Sequence, residues 1–373
     1  MPAKEPKRRP PSTLAKVLKT YRETYKLTQE DLAALLDEDP RQIRRWENNE
    51  TSVKDPGHLR AIADRLAIPY EHLGISPSLY IPLTLEQINT TIDTIWFLID
   101  EARISEGHAI AEKLLQQVTH QFVARTQDAT FLCTFARLYH AIAKATSLSV
   151  RSDNVGQAVY YYQQMEYFAR QLKDETLINL SLTYQGDMQR RKGDIPRALV
   201  LLEGACETTP SADEAARGNM LQFLARCYLR ANRLDEFEAA MKEAEVLAHV
   251  AGHRMRDFRL AYVYEEYASS YGTLGRTQEA LDYVERAEKV QPFTKSVEML
   301  LKLARAEILL RVGDISTGMP LAVEVATYAR EHGHNRRLER ISALKRYMHQ
   351  QTLNYGKAEA ALSEVLEGTC NER

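Results

Sequence analysis

Four polar side chains whose chemistry suits nucleic-acid recognition lie within residues 41–45. They are Arg41, Gln42, Arg44 and Arg45. Arg and Gln make paired hydrogen bonds to the edges of guanine and adenine, and a spare guanidinium group binds phosphate. This set is therefore a candidate for reading DNA, provided that the chain presents it on one exposed surface. The alternative is a solvated helix face, which is common on protein surfaces.

Two short helices joined by a tight turn are predicted to hold this set, between residues 27 and 48. Thr28 is a good N-cap for the first helix, and Asp31 lies three positions later, where it complements the helix N-terminus. Asp39 followed by Pro40 is typical of an N-cap with proline at the first helical position. Such a pair of helices can place its second member in the major groove of DNA.

The apolar side of the second helix predicts how that helix is fixed. Ile43 and Trp46 are three positions apart and therefore share one helix face. We expect them to pack on the preceding helix and on apolar residues of an earlier one, namely Leu14, Val17, Leu18 and Tyr21. A further amphipathic helix and a short last turn complete five helices, which is enough for a small domain.

The segment from Leu14 to Ile75 resembles the Cro/phage-repressor (XRE-type) helix-turn-helix domain. The resemblance rests on LTQEDLAALL at 27–36, on the I-x-x-W-E-N-N stretch at 43–49 and on the closing LRAIADRLAIPYEHLGI. It implies a recognition helix that begins near Pro40, which replaces a polar residue usual there and can donate no side-chain hydrogen bond. It also implies roles by position: base contacts from Pro40, Arg41 and Arg45, phosphate contacts from Gln29 and Lys54, and either role for Arg44.

The charge distribution indicates how DNA would be bound. Residues 1–75 carry 14 Lys+Arg and 12 Asp+Glu, whereas the remainder carries 35 and 39. The N-terminal part is thus only mildly basic, so binding should depend on a local patch and on two copies of the domain. The proline-broken basic segment 1–12 is expected to be a disordered arm that either follows DNA or only aids solubility.

Several classes of protein are excluded or disfavoured by what the sequence lacks. The N-terminus has no apolar signal segment, and the longest apolar run, near 95–99, is too short to cross a bilayer. The four cysteines lie far apart and are expected to be reduced thiols in a cytoplasm. The histidines have no third ligand in reach, and no catalytic constellation is present, so we expect no metal, no cofactor and no enzyme activity.

From residue 84 to 366 the sequence predicts helix after helix. Short polar breaks recur at 193–194, 232–233, 275–276, 313–314 and 356–357, with spacings of 39, 43, 38 and 43 residues. A period of about 40 residues in a helical region indicates a stack of helix hairpins. Around the breaks at Gly193 and Gly275 the sequence resembles tetratricopeptide repeats, with small residues at 186, 198, 268 and 280 that would let paired helices approach closely. Residues 84–172 should add two earlier hairpins, for about seven in all.

Stacked hairpins curve, and the first helix of each pair lines the hollow. Projecting the repeat register onto that hollow predicts ten residues in contact with a peptide: Arg137, Thr183, Asp187, Arg190, Asn219, Gln222, Arg226, Glu265, Ser269 and Glu307. Amide and guanidinium side chains suit the donors and acceptors of an extended peptide backbone. The alternatives are a hydrated groove without ligand, or a repeat register displaced by one residue.

The two halves together resemble the RRNPP-type peptide-pheromone receptors of bacteria. The predicted fold is all-α: an arm at 1–12, a five-helix helix-turn-helix domain at 13–75, a linker at 76–83, a right-handed α-solenoid at 84–367 and a tail at 368–373. The resemblance implies a cytoplasmic homodimer that binds a double-stranded DNA operator and a short linear peptide, without contact to a membrane. A constitutive repressor, and an adaptor whose repeats dock a protein partner, are the alternatives.

Overall fold

The computed structural model describes residues 13–53, 55–74, 83–122, 128–208, 212–252, 254–290 and 292–368. These residues form seventeen α-helices and two 3-10 helices and contain no β-strand, which confirms the all-α prediction. The chain divides into two compact units, one comprising Met1–Leu83 with Gln116–Ala124 and the other comprising Thr84–Leu115 with Arg125–Arg373.

The first unit contains the five helices that the sequence predicted, of which the last is a 3-10 helix. They are α1 (Thr13–Tyr25), α2 (Gln29–Leu36), α3 (Pro40–Glu47), α4 (Pro56–Arg65) and the 3-10 helix Tyr70–Leu73. Ile43 and Trp46 of α3 are buried in one core with Leu14 and Leu18 of α1, while Val17 and Tyr21 pack against it partly exposed. Burial of these side chains holds α3 in place and turns its polar face outward.

Local chemistry explains where α2 and α3 begin. The Thr28 hydroxyl accepts a hydrogen bond from the Asp31 N–H at 3.1 Å, and the Asp31 carboxylate accepts one from the Thr28 N–H at 2.9 Å. The predicted N-cap at Thr28 is thus present, and Asp31 completes it as a capping box. Asp39 caps α3 by accepting the N–H of Arg41 at 2.7 Å, and Pro40 occupies the first turn. The turn between the helices passes through Asp37, whose φ of 52° lies in the left-handed region.

The second unit consists of helices that pair and stack in chain order. Their bounds are α5 Leu85–Asp100, α6 Ile104–Phe122, α7 Ala129–Ser149, α8 Gly156–Leu172, α9 Glu175–Lys192, α10 Ile195–Thr208, α11 Glu214–Arg230, α12 Leu234–Ala251, α13 Leu260–Thr273, α14 Thr277–Glu288, α15 Lys295–Arg311, α16 Ile315–Glu331 and α17 Asn335–Gly368, with a 3-10 helix at Ser152–Asn154.

From α7 to α16 each odd-numbered helix packs along the even-numbered helix that follows it, and it also contacts the next odd-numbered helix. These contacts define an α-solenoid of helix hairpins. Gly186 shows why small residues recur at the hairpin contacts. A Cβ atom there would lie 2.9 Å from Leu202 Cγ and 3.3 Å from the Ala198 carbonyl oxygen, so the α9–α10 approach requires glycine.

The predicted break at Gly356 is wrong. Gly193, Gly275 and Gly313 end helices with φ values of 88°, 78° and 89°, whereas α17 runs unbroken through Gly356 for 34 residues. Glycine permits a left-handed turn but does not impose one. Most side chains from 349 to 362 are exposed, so folding this part of the chain back on itself is not stabilised by packing. Among the described residues, α7 to α16 therefore form five hairpins, preceded by α5 and α6 and followed by one long helix, rather than about seven hairpins.

Candidate nucleic-acid interface and ligand cavity

The outer face of α3 carries unpaired positive charge. Pro40, Arg41, Arg44 and Arg45 are exposed, and within the described residues the three guanidinium groups have no hydrogen-bond or ion-pair partner. Gln42 is partly exposed, and its Nε2 donates to Thr51 Oγ1 at 3.4 Å. These donors are therefore available to an external acceptor such as a base edge or a phosphate.

The carboxylate of α3 is held away from this face. Glu47 accepts a hydrogen bond from Arg22 Nε at 2.8 Å, with only 4% of its side chain exposed. It also accepts one from Gln29 Nε2 at 2.6 Å. Neutralising Glu47 internally leaves α3 cationic on its outer side. The Gln29 amide is thus committed to Glu47 here, and its predicted phosphate contact stays a prediction. Lys54, the other predicted phosphate contact, lies outside the described residues.

The orientation of α3 is fixed by its neighbours within the first unit. The Trp46 ring meets the His58 ring edge-on, with centroids 5.6 Å apart. The Nε2 atom of His58 lies 2.8 Å from Glu38 Oε1. This contact joins α4 to the turn that precedes α3. Asp55 caps α4 by accepting the N–H groups of Gly57 and His58, each at 3.1 Å. The exposed face of α3 is therefore carried by a packed scaffold and not by a loop.

A cavity of about 750 Å³ lies in the second unit, and it is lined mainly by the odd-numbered helices. Its size falls within the range of ligand-binding clefts. Eight of the ten residues predicted for the hollow line it: Asp187, Arg190, Asn219, Gln222, Arg226, Glu265, Ser269 and Glu307. The other two lie elsewhere. Thr183 is fully buried, and Arg137 is exposed on α7, where it donates to Asn89 Oδ1 at 2.9 Å.

Ion pairs across the cavity wall organise most of its charge. Arg340 of α17 reaches Glu265 of α13 at 3.0 Å and Glu307 of α15 at 2.7 Å. Arg226 of α11 pairs with Glu266 of α13. These bridges join α11 to α13, and α17 to both α13 and α15, so the positions of these four helices are coupled.

Asp187 and Arg190, both on α9, form a pair in which Arg190 Nε lies 2.9 Å from the carboxylate. Burial alone would raise the pKa of Asp187, but Arg190, Arg226 and Arg191 together hold it well below its usual range. The group is therefore a buried anion at neutral pH. Gln222 is also engaged, since its Nε2 donates to the Tyr262 carbonyl at 3.1 Å.

The loop between α12 and α13 is fastened to earlier helices by a second buried carboxylate. Asp257 lies 3.0 Å from His140 Nε2, 3.4 Å from Lys144 Nζ and 2.6 Å from the Tyr184 hydroxyl, which donates to it. Burial would raise the pKa of Asp257, but Lys144 and His140 hold it well below its usual range. This network ties the loop to α7 and α9 at the edge of the cavity.

Sequence reasoning missed the contribution of α17 to the cavity. Arg336, Arg337 and Arg340 line it together with residues of α9, which lie nearly 150 positions earlier in the chain. Residues so far apart in the chain line one cavity only because the hairpins between them stack. The cluster of basic residues at the start of α17 was the one signal in the sequence, and it also fits a solvated helix end.

The two short helices α2 and α3, joined by a tight turn, have the geometry of a helix-turn-helix domain. Residues 18–73 match the family model described as Helix-turn-helix. Residues 18–73 are therefore a helix-turn-helix domain, a class whose second helix can enter the major groove of DNA. No curated protein matches the chain. Within the described residues no helix is long and apolar enough to span a membrane, and no cluster of His, Cys, Asp and Glu could hold a metal ion.

Three solved structures are similar over most of the chain. Bacillus thuringiensis PlcR, in complex with the peptide PapR7 and DNA, has a TM-score of 0.35 and 14% identity over 88% of this chain and 99% of PlcR. The apo competence regulator ComR of Streptococcus vestibularis has a TM-score of 0.35 and 15% identity, with coverages of 81% and 98%. ComR of S. thermophilus, with DNA and its signalling peptide ComS, has a TM-score of 0.32 and 15% identity, with coverages of 85% and 99%. Likenesses this weak carry no conclusion about what the present chain binds.

Proposed function

We propose that this chain is a transcriptional regulator that binds a DNA operator through α3 as a homodimer and senses a short peptide in the cavity of its solenoid. The observation that carries the first part is the exposed row of unpaired cations on α3. Because Trp46 and Ile43 are buried beneath that row, the helix presents it as a rigid surface. A rigid cationic helix face of this kind fits the major groove.

Dimerisation follows from the small size of the interface. One such domain offers few base and phosphate contacts, which gives weak specific binding. Two copies related by a twofold axis would read half-sites about 34 Å apart, which is one turn of DNA. The mild charge of the N-terminal part, net +2 over residues 1–75, favours the same conclusion, since a single domain has little non-specific attraction for DNA.

The peptide part of the proposal is supported by the cavity itself. Its wall mixes amide, hydroxyl, carboxylate and guanidinium groups with aromatic rings, a combination that serves the alternating donors and acceptors of a peptide backbone. The wall also contains ion pairs between neighbouring hairpins, such as Arg226 with Glu266. A ligand that competes for these groups would alter how the hairpins stack. In this way, peptide binding in the cavity would change the arrangement of the DNA-binding dimer.

Two measurements on the full chain test the proposal. Selection from a random pool of duplex DNA should enrich a sequence with two related half-sites. Thermal unfolding with pools of short peptides, about five to ten residues long, should show a saturable rise in Tm, because a ligand selective for the folded state stabilises it.

The outcomes separate the alternatives. Enrichment of DNA without any peptide effect would favour a constitutive repressor whose repeats serve dimerisation. Failure to enrich any sequence, with capture of one protein partner by the solenoid, would favour an adaptor. Enrichment of a single half-site by a monomer would overturn the dimer model.

A further inference from the structure

Positive charge exceeds negative charge in the cavity wall. Nine Lys or Arg side chains line it, against six Asp or Glu side chains. The excess is concentrated where the last turn of α9 faces the first turn of α17. Arg191, Arg336 and Arg337 all lie near His334 there, since each of the three lowers its pKa.

Arg337 is the most deeply buried of the three, with 3% of its surface exposed. Its Nη2 donates to the carbonyl oxygen of Ser296 at 2.6 Å and to the Ser296 hydroxyl at 3.0 Å. Its Nε and Nη1 have no hydrogen-bond partner in the described part of the chain, and no carboxylate there lies within ion-pair distance. A buried guanidinium group with two unused donor nitrogens is unusual, because leaving such donors unpaired is destabilising.

Arg191 is in a similar situation. Its Nη1 donates to the Ser147 carbonyl at 2.6 Å and its Nη2 donates to the Val150 carbonyl at 3.1 Å, while its buried Nε has no partner among the described residues. Carbonyl oxygens satisfy N–H groups but do not neutralise the charge.

The carboxylates close enough to act on these two groups are engaged by others. Glu265 accepts from Arg340 at 3.0 Å, and Asp187 accepts from Arg190 at 2.9 Å. Glu339 accepts from Arg336 at 2.9 Å. Arg190, Arg336 and Arg340 thus each have a carboxylate partner, whereas Arg191 and Arg337 form no ion pair among the described residues.

The electrostatics agree with this geometry. Burial lowers the pKa of Arg337 to about 10, and Arg340 adds to the effect. Burial and then Arg191 lower the pKa of Arg336 to about 10 as well. Burial and Arg337 hold the pKa of His334 well below its usual value, so this residue is neutral and adds no further charge. The protein therefore holds cations here under conditions that disfavour them.

We propose that Arg191, Arg336 and Arg337 form a binding site for a carboxylate group of the ligand. The inference rests on the proposed peptide-binding function and specifies one subsite of it. A bound carboxylate would accept from the unused nitrogens of Arg337 and Arg191 and would neutralise the charge that the wall leaves open. The carboxylate is either the C-terminus of a peptide or an Asp or Glu side chain within it.

The test uses the full chain and three pools of random hexapeptides at matched ionic strength. The first pool has free C-termini and no Asp or Glu, the second has the same sequences amidated, and the third is amidated with one Glu in each peptide. We expect half-saturation in thermal-shift titrations at concentrations about tenfold or more lower for the pool that supplies the right carboxylate than for the second pool. A preference for the first pool identifies a C-terminal carboxylate, and a preference for the third identifies a side chain.

Variants locate the effect. Arg337→Gln should abolish the difference between the pools, and Arg337→Lys should retain part of it because the charge is kept. Arg197→Gln is the matched control, since Arg197 is exposed on α10 of the same unit and does not line the cavity. If Arg337→Gln does not fold, Arg191→Gln makes the same comparison, because Arg191 supplies the other unused nitrogen. Equal binding of all three pools by the wild type would overturn the carboxylate site while leaving peptide binding intact.

Acetate, a smaller probe, distinguishes the proposed carboxylate site from the proposed peptide-binding function. Acetate and its neutral analogue acetamide are compared on the wild type, with chloride keeping ionic strength constant. If no peptide pool binds but acetate stabilises the wild type and not Arg337→Gln, the carboxylate site stands and the peptide function fails. If neither peptides nor acetate stabilise the protein, both proposals are overturned.

Discussion

Replacing Arg45 by Ala isolates the contribution of α3 to DNA recognition. Arg45 is exposed, and its guanidinium group has no partner among the described residues. Exposed substitutions of this kind change stability by only about 0.5 kcal/mol either way, and Ala is the best helix-forming residue. A loss of affinity in Arg45→Ala would therefore report a lost DNA contact and not a damaged domain.

The size of the effect follows from the kind of contact. An Arg that makes paired hydrogen bonds to guanine contributes roughly 1–3 kcal/mol of specific binding, which corresponds to roughly a 5- to 150-fold increase in Kd. We expect the same range for Arg41→Ala. The affinity for scrambled DNA should change much less than the affinity for the operator, because base contacts carry the sequence preference.

Phosphate contacts have a different signature. Each one adds about 0.9 to the slope of log Kd against log salt concentration on duplex DNA. Lys54→Ala should therefore weaken binding to all sequences alike and flatten the salt dependence by about that amount. Arg44→Ala distinguishes its two candidate roles in the same way, through operator preference or through the salt slope.

Fluorescence anisotropy at fixed salt measures these quantities, with an operator selected by the full chain and a scrambled duplex of equal length. Arg60→Ala is the matched control, because Arg60 is exposed on α4 of the same unit and not on α3. The reasoning is refuted if the Arg41/Arg45 double variant binds the operator as tightly as the wild type while Arg60→Ala behaves identically.

Three further predictions concern stability and use thermal or denaturant unfolding. Gly186→Ala should destabilise the solenoid by about 1–3 kcal/mol through overpacking. Gly204→Ala, whose Cβ would meet nothing closer than 4.0 Å, should instead stabilise it by about 0.5–1 kcal/mol. Equal effects of the two substitutions would contradict the close approach of α9 and α10 at Gly186. Trp46→Ala should cost about 3–5 kcal/mol because the ring is 2% exposed, and operator binding should be lost with it; a variant that retained both would show that α3 is anchored otherwise. The pKa of Asp257 is lowered by folding, so its stabilising effect is complete above the unfolded pKa of about 3.9 and is lost as pH falls towards the lower folded value. Asp257→Asn should therefore lower Tm at neutral pH and reduce the acid sensitivity below about pH 4; parallel Tm curves for both proteins would contradict this.

The sequence by itself determined the local features of both units. Thr28 with Asp31, and Asp39 with Pro40, begin α2 and α3 because caps act within one helical turn. The glycines at the predicted breaks end helices where the following helix packs back on the preceding one. Gly356 lies inside α17, so a glycine alone does not predict the end of a helix. Helical periodicity likewise placed Trp46 inside and the α3 arginines outside.

Only the tertiary structure decided what the cavity contains. The repeat register brought eight predicted residues to its wall, but it could not reveal that Arg336 of α17 would lie near Arg191 at the end of α9. Nor could it show that Glu47 binds Gln29, or that Thr183 is fully buried. Caps and helix faces are set by neighbours within a few residues, whereas the charge balance of the cavity is set by groups from separate hairpins, such as Arg340 with Glu265 or Arg336 with Arg191.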